Sequence, residues 1–219
     1  MKTVLFILLV YTFSAGAQTI EFKKENLEPV NVFMALDKLN KKSVVKVAKD
    51  SAVKEVDEPT FVRIKNVSFT DGTIEVNVLS KLLPNAWESA RGFIGIAFRI
   101  NDTNSKFECI YIRPTNGRAD DQVRRNHSIQ YFSYPDYKFP RLRKESPEKY
   151  ESYADMGLNE WIKMKIVVKG TQAKLYLNDN PQPSLIVNDL KQGADLLGGI
   201  GLFVDVGTEG FFSDLKISK

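Results

Sequence analysis

The sequence predicts an all-β protein built as a two-sheet antiparallel β-sandwich. From Val44 onward, short segments rich in β-branched and aromatic residues alternate with turns. Apolar side chains occupy every second position in residues 73–78 and again in residues 161–169. Such alternation is typical of strands that have one face in a core and the other in solvent. Because no segment has a convincing amphipathic helix pattern, two packed sheets are the expected architecture.

The predicted strands follow one another at short intervals and are separated by turn residues. Asp71-Gly72 precedes one strand, residues 169–171 join two strands as a hairpin, residues 178–183 form a polar turn, and Gly198-Gly199 opens a late strand. In chain order, the predicted strands are residues 44–48, 60–67, 73–80, 93–100, 107–113, 128–132, 161–169, 173–178, 185–190, 200–206 and 211–217.

One change of composition interrupts this series, between residues 113 and 151. Residues 113–149 contain nine Lys and Arg and five Asp and Glu, together with the only histidine of the chain and several tyrosines. Four prolines argue against regular structure over most of this insertion; they are Pro114, Pro135, Pro140 and Pro147. Because long loops on a β scaffold are a usual place for function, we expect the recognition site in this loop insertion.

The N-terminus has the features of a secretory signal peptide, which we predict to cover residues 1–17. Lys2 gives a positive start, residues 4–10 form a short apolar run, and residues 15–17 read Ala-Gly-Ala, like a cleavage signal. No segment approaches the ~20 apolar residues that a membrane helix requires. The sequence therefore predicts an exported bacterial protein, periplasmic or extracellular, with no membrane span and with one mature domain at residues 18–219.

Composition limits the classes of ligand. The single cysteine, Cys109, cannot form an internal disulfide, and its place in an alternating strand predicts a buried, inert thiol. The net charge of the chain is +4. The positive charge is concentrated in residues 113–149, which contain nine basic and five acidic residues. Export and the lack of a long basic stripe argue against nucleic acid, whereas an anionic or hydroxyl-rich small ligand fits. No cofactor and no metal are expected, because Asp120, Asp121 and Asp205 lack the spacing of a calcium loop.

The order of several short motifs resembles the concanavalin A-like lectin/glucanase jelly roll. They are, in chain order, FTDGTIEV at 69–76, GFIGIAFR at 92–99, WIKMK at 161–165, AKLYLN at 173–178, GLF at 201–203 and FSDLKI at 212–217. Each motif is weakly specific, because it consists mostly of sheet-packing positions, but together they span nearly the whole mature chain. Within this superfamily the chain is similar to laminin G-like modules and to bacterial 3-keto-disaccharide hydrolase domains. The resemblance implies a jelly-roll sandwich that recognises carbohydrate.

The chain departs from the lichenase and laminarinase branch of that superfamily at the catalytic strand. Those enzymes resemble one another in an E-x-D-x-x-E strand, and retaining hydrolysis needs two carboxyl groups ~5 Å apart. The sequence offers only Glu75 and Asn77, one carboxylate and one amide. Ordinary retaining glycosidase chemistry is therefore disfavoured.

The first candidate site residues lie on two predicted neighbouring strands. Arg99 lies at the end of one strand. Alternation in the next strand places Tyr111 and Arg113 on one face and Glu108 on the other. If this sheet is the concave one, one of these subsets lines a groove. For Glu108 the alternative is a structural cross-strand pair with an arginine.

A second group of candidates lies in the segment RNHSIQY at 125–131. His127 has the ordinary pKa of an acid or base that works near neutral pH. Arg125 and Gln130 suit a carboxylate or sugar hydroxyls, and alternation puts Tyr131 on the same side as His127. The alternative is a histidine that only shapes its loop.

The remaining candidates combine aromatic rings with charge. Aromatic faces pack on the C–H surfaces of sugars, and charged groups supply directional hydrogen bonds. Arg143, Tyr150 and Glu151 are the main candidates of this kind, and Trp87 is a candidate for exposed stacking, whereas Trp161 is expected in the core. The alternative is that the insertion packs its own aromatics. The other members of the group are Tyr134, Tyr137, Phe139, Arg141 and Tyr153.

Three classes of function stay open. The favoured class is a domain that binds a glycan in a groove roofed by residues 113–151. The competing class is a hydrolase or lyase of modified, 3-keto sugars, with His127, Glu108 or Glu151 as acid or base. The third is an adhesion module that binds a protein. Because one histidine and scattered carboxylates do not make a catalytic pair, binding without turnover is the expectation; the sequence indicates neither the sugar nor the oligomeric state.

Overall fold

Two antiparallel sheets account for about half of residues 16–219, the part of the chain that the computed structural model describes. The predicted signal peptide lies outside these residues except for its last two positions. The predicted two-sheet antiparallel β-sandwich is confirmed. In chain order, the strands are β1 (Gln18–Thr19), β2 (Leu27–Val30), β3 (Val32–Leu39), β4 (Lys42–Lys49), β5 (Phe61–Phe69), β6 (Gly72–Leu82), β7 (Ile94–Ile100), β8 (Phe107–Ile112), β9 (Ile129–Tyr134), β10 (Glu151–Ser152), β11 (Ile162–Lys169), β12 (Gln172–Leu177), β13 (Leu185–Val187), β14 (Gly198–Val204) and β15 (Thr208–Ser218).

The helices are short. Three α-helices follow one another between β8 and β10: α1 (Pro114–Gly117), α2 (Gln122–Asn126) and α3 (Phe139–Glu145). A single 3-10 turn precedes β2 at Lys24–Asn26. Within residues 16–219, no helix has the length and apolar character needed to cross a membrane.

Consecutive strands repeatedly change sheet, which brings distant loops together. The eight-stranded sheet has the order β13-β12-β11-β6-β15-β4-β3, with β1 paired to β15, and the seven-stranded sheet has the order β10-β9-β8-β7-β14-β5-β2. The β4–β5, β6–β7 and β14–β15 connections all cross between the sheets. Backbone hydrogen bonds from Leu83 N to Gly207 O (2.9 Å) and from Asp205 N to Phe93 O (3.3 Å) show that these crossings meet at one end of the sandwich.

The core between the sheets is mostly aliphatic, with Phe98 and Phe212 among its buried residues. Directly paired residues of antiparallel strands project from the same face, and the register pairs Ile94 with Val204. A Cβ built on Gly210 of the eight-stranded sheet would lie 2.7 Å from Val204 and 3.0 Å from Ile94. This face of the seven-stranded sheet therefore packs against the other sheet, and Gly210 lets the two sheets approach.

The outer face of the seven-stranded sheet is aromatic. Phe107 and Phe132 have ring centroids 5.7 Å apart, and Tyr111 lies 5.6 Å from Phe203. All four side chains are buried, although they point away from the other sheet. Large apolar surface is stable in such a position only when something covers it.

The insertion supplies much of that cover, and it is more regular than the sequence analysis predicted. Residues 113–151 hold α1, α2 and α3 as well as β9, which pairs with β8 along its whole length. The expectation of irregular structure over most of this segment was wrong, because Pro114 and Pro140 occupy the first turns of α1 and α3. Proline is tolerated there, since its missing N–H has no helical partner at that position.

Four strands were not predicted: the two-residue strands β1 and β10, and the longer edge strands β2 and β3. β2 contains Pro29 and pairs only with β5, a position where proline costs no ladder hydrogen bond. β3 closes the eight-stranded sheet, and most of its residues, including Phe33 and Leu36, are exposed. Strands with so little buried surface show no clear alternation of apolar and polar residues, which is why the first predicted strand begins at Val44.

Arg99, a predicted ligand residue, is instead a structural tie. It is the extra residue of a bulge in β7 opposite β14. Its guanidinium is fully buried and donates hydrogen bonds to Thr70 O (2.9 Å), Gly193 O (2.6 Å), Gly170 O (2.8 Å) and Asp71 Oδ1 (3.1 Å). One side chain therefore connects three loops of the sandwich.

Replacing Arg99 by Met tests this role. Methionine keeps much of the side-chain volume but leaves three part-buried carbonyl oxygens without the Arg99 donors, so we expect a loss of ~2 to 4 kcal/mol in unfolding free energy. Arg141→Met is the matched control, because Arg141 is exposed and its contacts with Glu145, Asp136 O and the Tyr137 ring are at the surface; we expect a change below ~0.5 kcal/mol there. Urea unfolding measures both variants, and equal losses would contradict the assignment.

Candidate ligand-binding cleft

A cleft of about 300 Å³ opens where the three sheet crossings meet the insertion. We call it the arginine cleft, because four arginines line it: Arg91, Arg113, Arg124 and Arg143. The β6–β7 connection supplies Arg91, and the insertion supplies the other three. Three aromatic rings complete its apolar surface: Phe93, Tyr111 and Phe139.

Arg113 is a buried arginine of the arginine cleft. Its Nη2 donates to the Tyr111 hydroxyl (2.8 Å) and to Gln130 Oε1 (3.2 Å), and its Nη1 donates to Glu151 Oε1 (3.1 Å). The guanidinium carbon also lies 5.1 Å from the Tyr111 ring centroid and 5.4 Å from that of Phe139. A guanidinium held by acceptors and ring faces in this way stays ionised despite burial.

Glu151 balances the arginines from behind the cleft. Arg143 donates to both of its oxygens, at 3.0 Å from Nε and 2.5 Å from Nη2. Burial opposes ionisation of Glu151, but the bonds from Arg143 and the charge of Arg113 outweigh it, so its pKa is lowered. A carboxylate fixed as an anion by two arginines is poorly suited to act as a general acid or base near neutral pH.

His127 lies beside the same carboxylate. Its Nε2 is 3.5 Å from Glu151 Oε2. Burial lowers the pKa of His127; Glu151 opposes that effect, and the charges of Arg143 and Arg113 add to it. The imidazole is therefore neutral at neutral pH, when one ring nitrogen can donate a hydrogen bond and the other can accept one.

Asp57 presents a carboxyl oxygen without a partner. Its Oδ2 accepts from Phe139 N (2.8 Å), whereas its Oδ1 is buried and has no hydrogen bond within residues 16–219. Burial raises the pKa of Asp57 to about 7 and the charge of Asp205 adds to that rise, whereas the Phe139 amide, the charge of Arg113 and the nearby Tyr111 hydroxyl oppose it. A buried acceptor that no protein group satisfies is rare and requires an explanation.

Asp205 fixes Asp57 in place. Asp205 Oδ2 accepts from the Asp57 amide (2.9 Å), and Oδ1 accepts from the buried Lys49 ammonium (2.6 Å). Asp57 has a φ of 54°, a left-handed conformation that is uncommon outside glycine. The buried pair thus holds a strained residue that lines the cleft, a combination that is frequent at functional sites.

Four of the predicted site residues line the arginine cleft, and two more support it. Gln130 and Glu151 contact Arg113 directly. Arg124 of the insertion also lines the cleft, whereas its neighbour Arg125 donates to Tyr153 at the surface. The predicted residues that line the cleft are Tyr111, Arg113, His127 and Arg143.

Glu108, Tyr131 and Tyr150 lie away from the cleft, on the side of the sheet that faces the core. Tyr131 donates to Glu108 Oε2 (2.6 Å), and Glu108 Oε1 accepts from Gln192 N (2.8 Å). Tyr150 donates to Asp189 (2.6 Å) and packs its ring against Tyr131. All three are buried and have structural partners, so Glu108 is not placed to act as an acid or base on a ligand in the cleft.

The two tryptophans and the cysteine occupy different environments. Trp87 is 77% exposed and lies four residues before Arg91, so exposed stacking stays a prediction. Trp161 is only partly buried and packs on a small outer cluster with Val44. Cys109 is buried as predicted, and burial raises the pKa of its thiol.

Sequence analysis missed the residues that the other loops contribute. These loops have no hydrophobic period, and only the sheet crossings bring them beside the insertion. The aromatic Phe139 was named only as a minor member of its group, and Asp205 was considered only as a metal ligand. Within residues 16–219, no group of three or more His, Cys, Asp or Glu is arranged to hold a metal ion. The missed residues are Asp57, Arg91 and Phe93 in the other loops, and Asn116 and Arg124 within the insertion itself.

Comparison with known proteins identifies the fold. No protein-family model matches the chain, and no curated protein matches it. The carbohydrate-binding module CBM66 from Bacillus subtilis is 16% identical, with a TM-score of 0.59 over 88% of this chain and 96% of that module. A provisionally assigned glycosyl hydrolase from Parabacteroides distasonis is 14% identical, with a TM-score of 0.57 over 92% and 98%.

A third solved structure has the same architecture. It is a Bacillus subtilis protein of unknown function with a galectin-like fold, 9% identical, with a TM-score of 0.55 over 89% of each chain. At these identities the matches show a shared β-sandwich fold. The resemblance to laminin G-like modules and 3-keto-disaccharide hydrolase domains stays a prediction.

The Asp57→Asn variant tests the burial of this carboxyl group. Because its folded pKa is about 7 against an ordinary value of 3.8, the unfolded chain loses the proton first as pH rises. Stability therefore falls between about pH 4 and pH 7 and stays reduced above that range. We expect Asp57→Asn to raise the melting temperature by several degrees at pH 8 and to change it little at pH 4.

The control for this experiment is Asp136→Asn, because Asp136 is an exposed carboxylate of the same insertion. Its melting temperature should follow that of the unmodified protein at both pH values. A lower melting temperature for Asp57→Asn at pH 8 would show that the ionised carboxylate has a stabilising partner, contrary to the geometry.

Proposed function

We propose that this protein binds a glycan in the arginine cleft. The observation that carries the proposal is Oδ1 of Asp57, which is buried, held in position by a strained backbone and without a hydrogen bond within the described residues, although the Tyr111 hydroxyl lies near the carboxyl group. Burial of an unpaired carboxyl group costs stability. That cost is offset if a ligand supplies the missing donor, and sugar hydroxyls are suitable donors.

The surroundings of Asp57 suit a sugar ring. Phe93, Tyr111 and Phe139 offer apolar surface for C–H groups, and His127 and Arg143 offer hydrogen bonds at the edge. A volume of about 300 Å³ is at the small end of ligand pockets. We therefore propose recognition of one or two sugar units, such as a chain end, rather than a long stretch of polysaccharide.

The shared fold supports this proposal by analogy. The CBM66 structure is named as a carbohydrate-binding module, and a β-sandwich that binds sugar has the same arrangement of sheets as this chain. A signal peptide at residues 1–17 would place the protein outside the cytoplasm, where glycans are accessible, and export is part of the proposal.

Arg143→Ala tests the binding site. Arg143 is partly exposed in the cleft. When Arg143 is removed, Glu151 retains its ion pair with Arg113, so the fold should survive. We expect glycan affinity to fall ~5- to 150-fold, equivalent to ~1 to 3 kcal/mol. Calorimetry with a glycan identified on an array measures the effect.

Arg141→Ala is the matched control for this experiment, because Arg141 lies two residues away in α3 and pairs with Glu145 outside the cleft. Its affinity should be unchanged. The proposal would fail if no glycan bound on the array, or if the two arginine variants lost affinity equally.

A second candidate function is hydrolysis or lyase cleavage of a modified sugar. One observation favours it: the pKa of Asp57 is about 7, within the range of a general acid or base, and His127 lines the same cleft. We expect binding without turnover, because Glu151 is fixed as an anion by arginines. Product analysis after incubation with neutral, sulfated and 3-keto sugars decides the point, and cleavage that both Asp57→Asn and His127→Ala abolish would establish the enzyme.

A further inference from the structure

The charges of the arginine cleft are not balanced. Glu151 is shared by Arg113 and Arg143, and Asp205 is paired with Lys49. Those contacts leave two cleft arginines without a carboxylate partner among residues 16–219. They are Arg91 and Arg124.

The two unpaired arginines come from different parts of the chain. Arg91 donates only to backbone carbonyls, those of Glu88 and Ala90 (2.9 Å for the second). Arg124 lies in α2, is exposed and donates to no side chain within the described residues. Both line the same cleft as Arg113. Burial and the charges of Arg124 and Arg113 lower the pKa of Arg91, and the charge of Glu88, which forms no salt bridge with it, opposes this effect. Three guanidinium groups therefore repel one another across a small volume.

We infer that the arginine cleft selects glycans that carry an oxyanion, a uronate carboxylate or a sulfate, bound between Arg91 and Arg124. The planar fork of a guanidinium matches the two oxygens of such a group. Binding it would relieve the repulsion among the arginines, which a neutral sugar cannot do. Asp57, deeper in the cleft, is then the partner of a neighbouring sugar hydroxyl. This inference rests on the proposed glycan function.

The test uses matched pairs of glycans. An array should hold uronic acid oligosaccharides with their carboxyl-reduced counterparts, and sulfated oligosaccharides with their desulfated counterparts. We expect the charged member of at least one pair to bind ~10-fold or more tightly than its neutral counterpart, because it gains a charge-assisted bidentate contact. Its affinity should fall as NaCl is raised from low to physiological concentration, whereas that of the neutral member should not.

Variants then assign the preference to the two arginines. Arg124→Gln and Arg91→Gln should each remove most of the charged glycan's advantage while changing affinity for the neutral counterpart less than ~2-fold. Lys144→Gln is the control, because Lys144 is exposed on α3 outside the cleft and its loss changes the net charge by the same amount. Equal effects of Lys144→Gln and Arg124→Gln would overturn the inference, since the preference would then reflect overall charge.

The outcomes separate this inference from the proposed function. Preference for a uronate or for a sulfate supports the inference and identifies the source of the oxyanion. Equal binding of charged and neutral members, still weakened by Arg143→Ala, would overturn the inference and leave glycan binding intact. Absence of binding to any member would overturn both.

Discussion

The buried guanidinium of Arg113 connects the sheet to the segment that makes the site. It follows β8 directly, and its hydrogen bonds reach Tyr111 and Gln130 on the sheet and Glu151 at the end of the insertion. Removing one partner of such a buried pair usually costs ~3 to 5 kcal/mol. Because α1, α2 and α3 lie between the two ends of this connection, their positions over the sheet depend on it. The network that holds the insertion is therefore also the inner wall of the arginine cleft.

The insertion changes where a sandwich of this kind can bind. The aromatic outer face of the seven-stranded sheet is buried, with Leu142 of α3 among the buried residues of the same cluster. A ligand thus has no open sheet face on this side. What stays open is one end, where the loops around Asp57 and Arg91 meet the insertion. An end-on cleft of this size fits a short terminal group, and it explains why loop residues rather than strand residues supply most of the polar contacts.

The sequence predicts what depends on local pattern. Alternation in β8 correctly placed Tyr111 and Arg113 on one face, apart from Glu108, and composition directed attention to His127 and Arg143. The role of Arg99 was predicted wrongly, because alternation does not reveal a β-bulge. The bulge directs the Arg99 side chain toward the loops. Asp57 was not predicted because a lone acidic residue in a polar loop has no signature, and its importance comes from burial and from long-range contacts. Local pattern identifies strands, whereas the site arises where distant loops converge.

The most direct measurement of the central claim uses His127, the only histidine in the chain. Its imidazole resonance in NMR spectra is unique, and it lines the cleft close to Glu151. A glycan that binds in the arginine cleft should displace this resonance in a saturable manner, with the same dissociation constant that calorimetry gives. If calorimetry shows saturable binding while the His127 resonance stays fixed, the glycan binds elsewhere and the assignment of the cleft is contradicted.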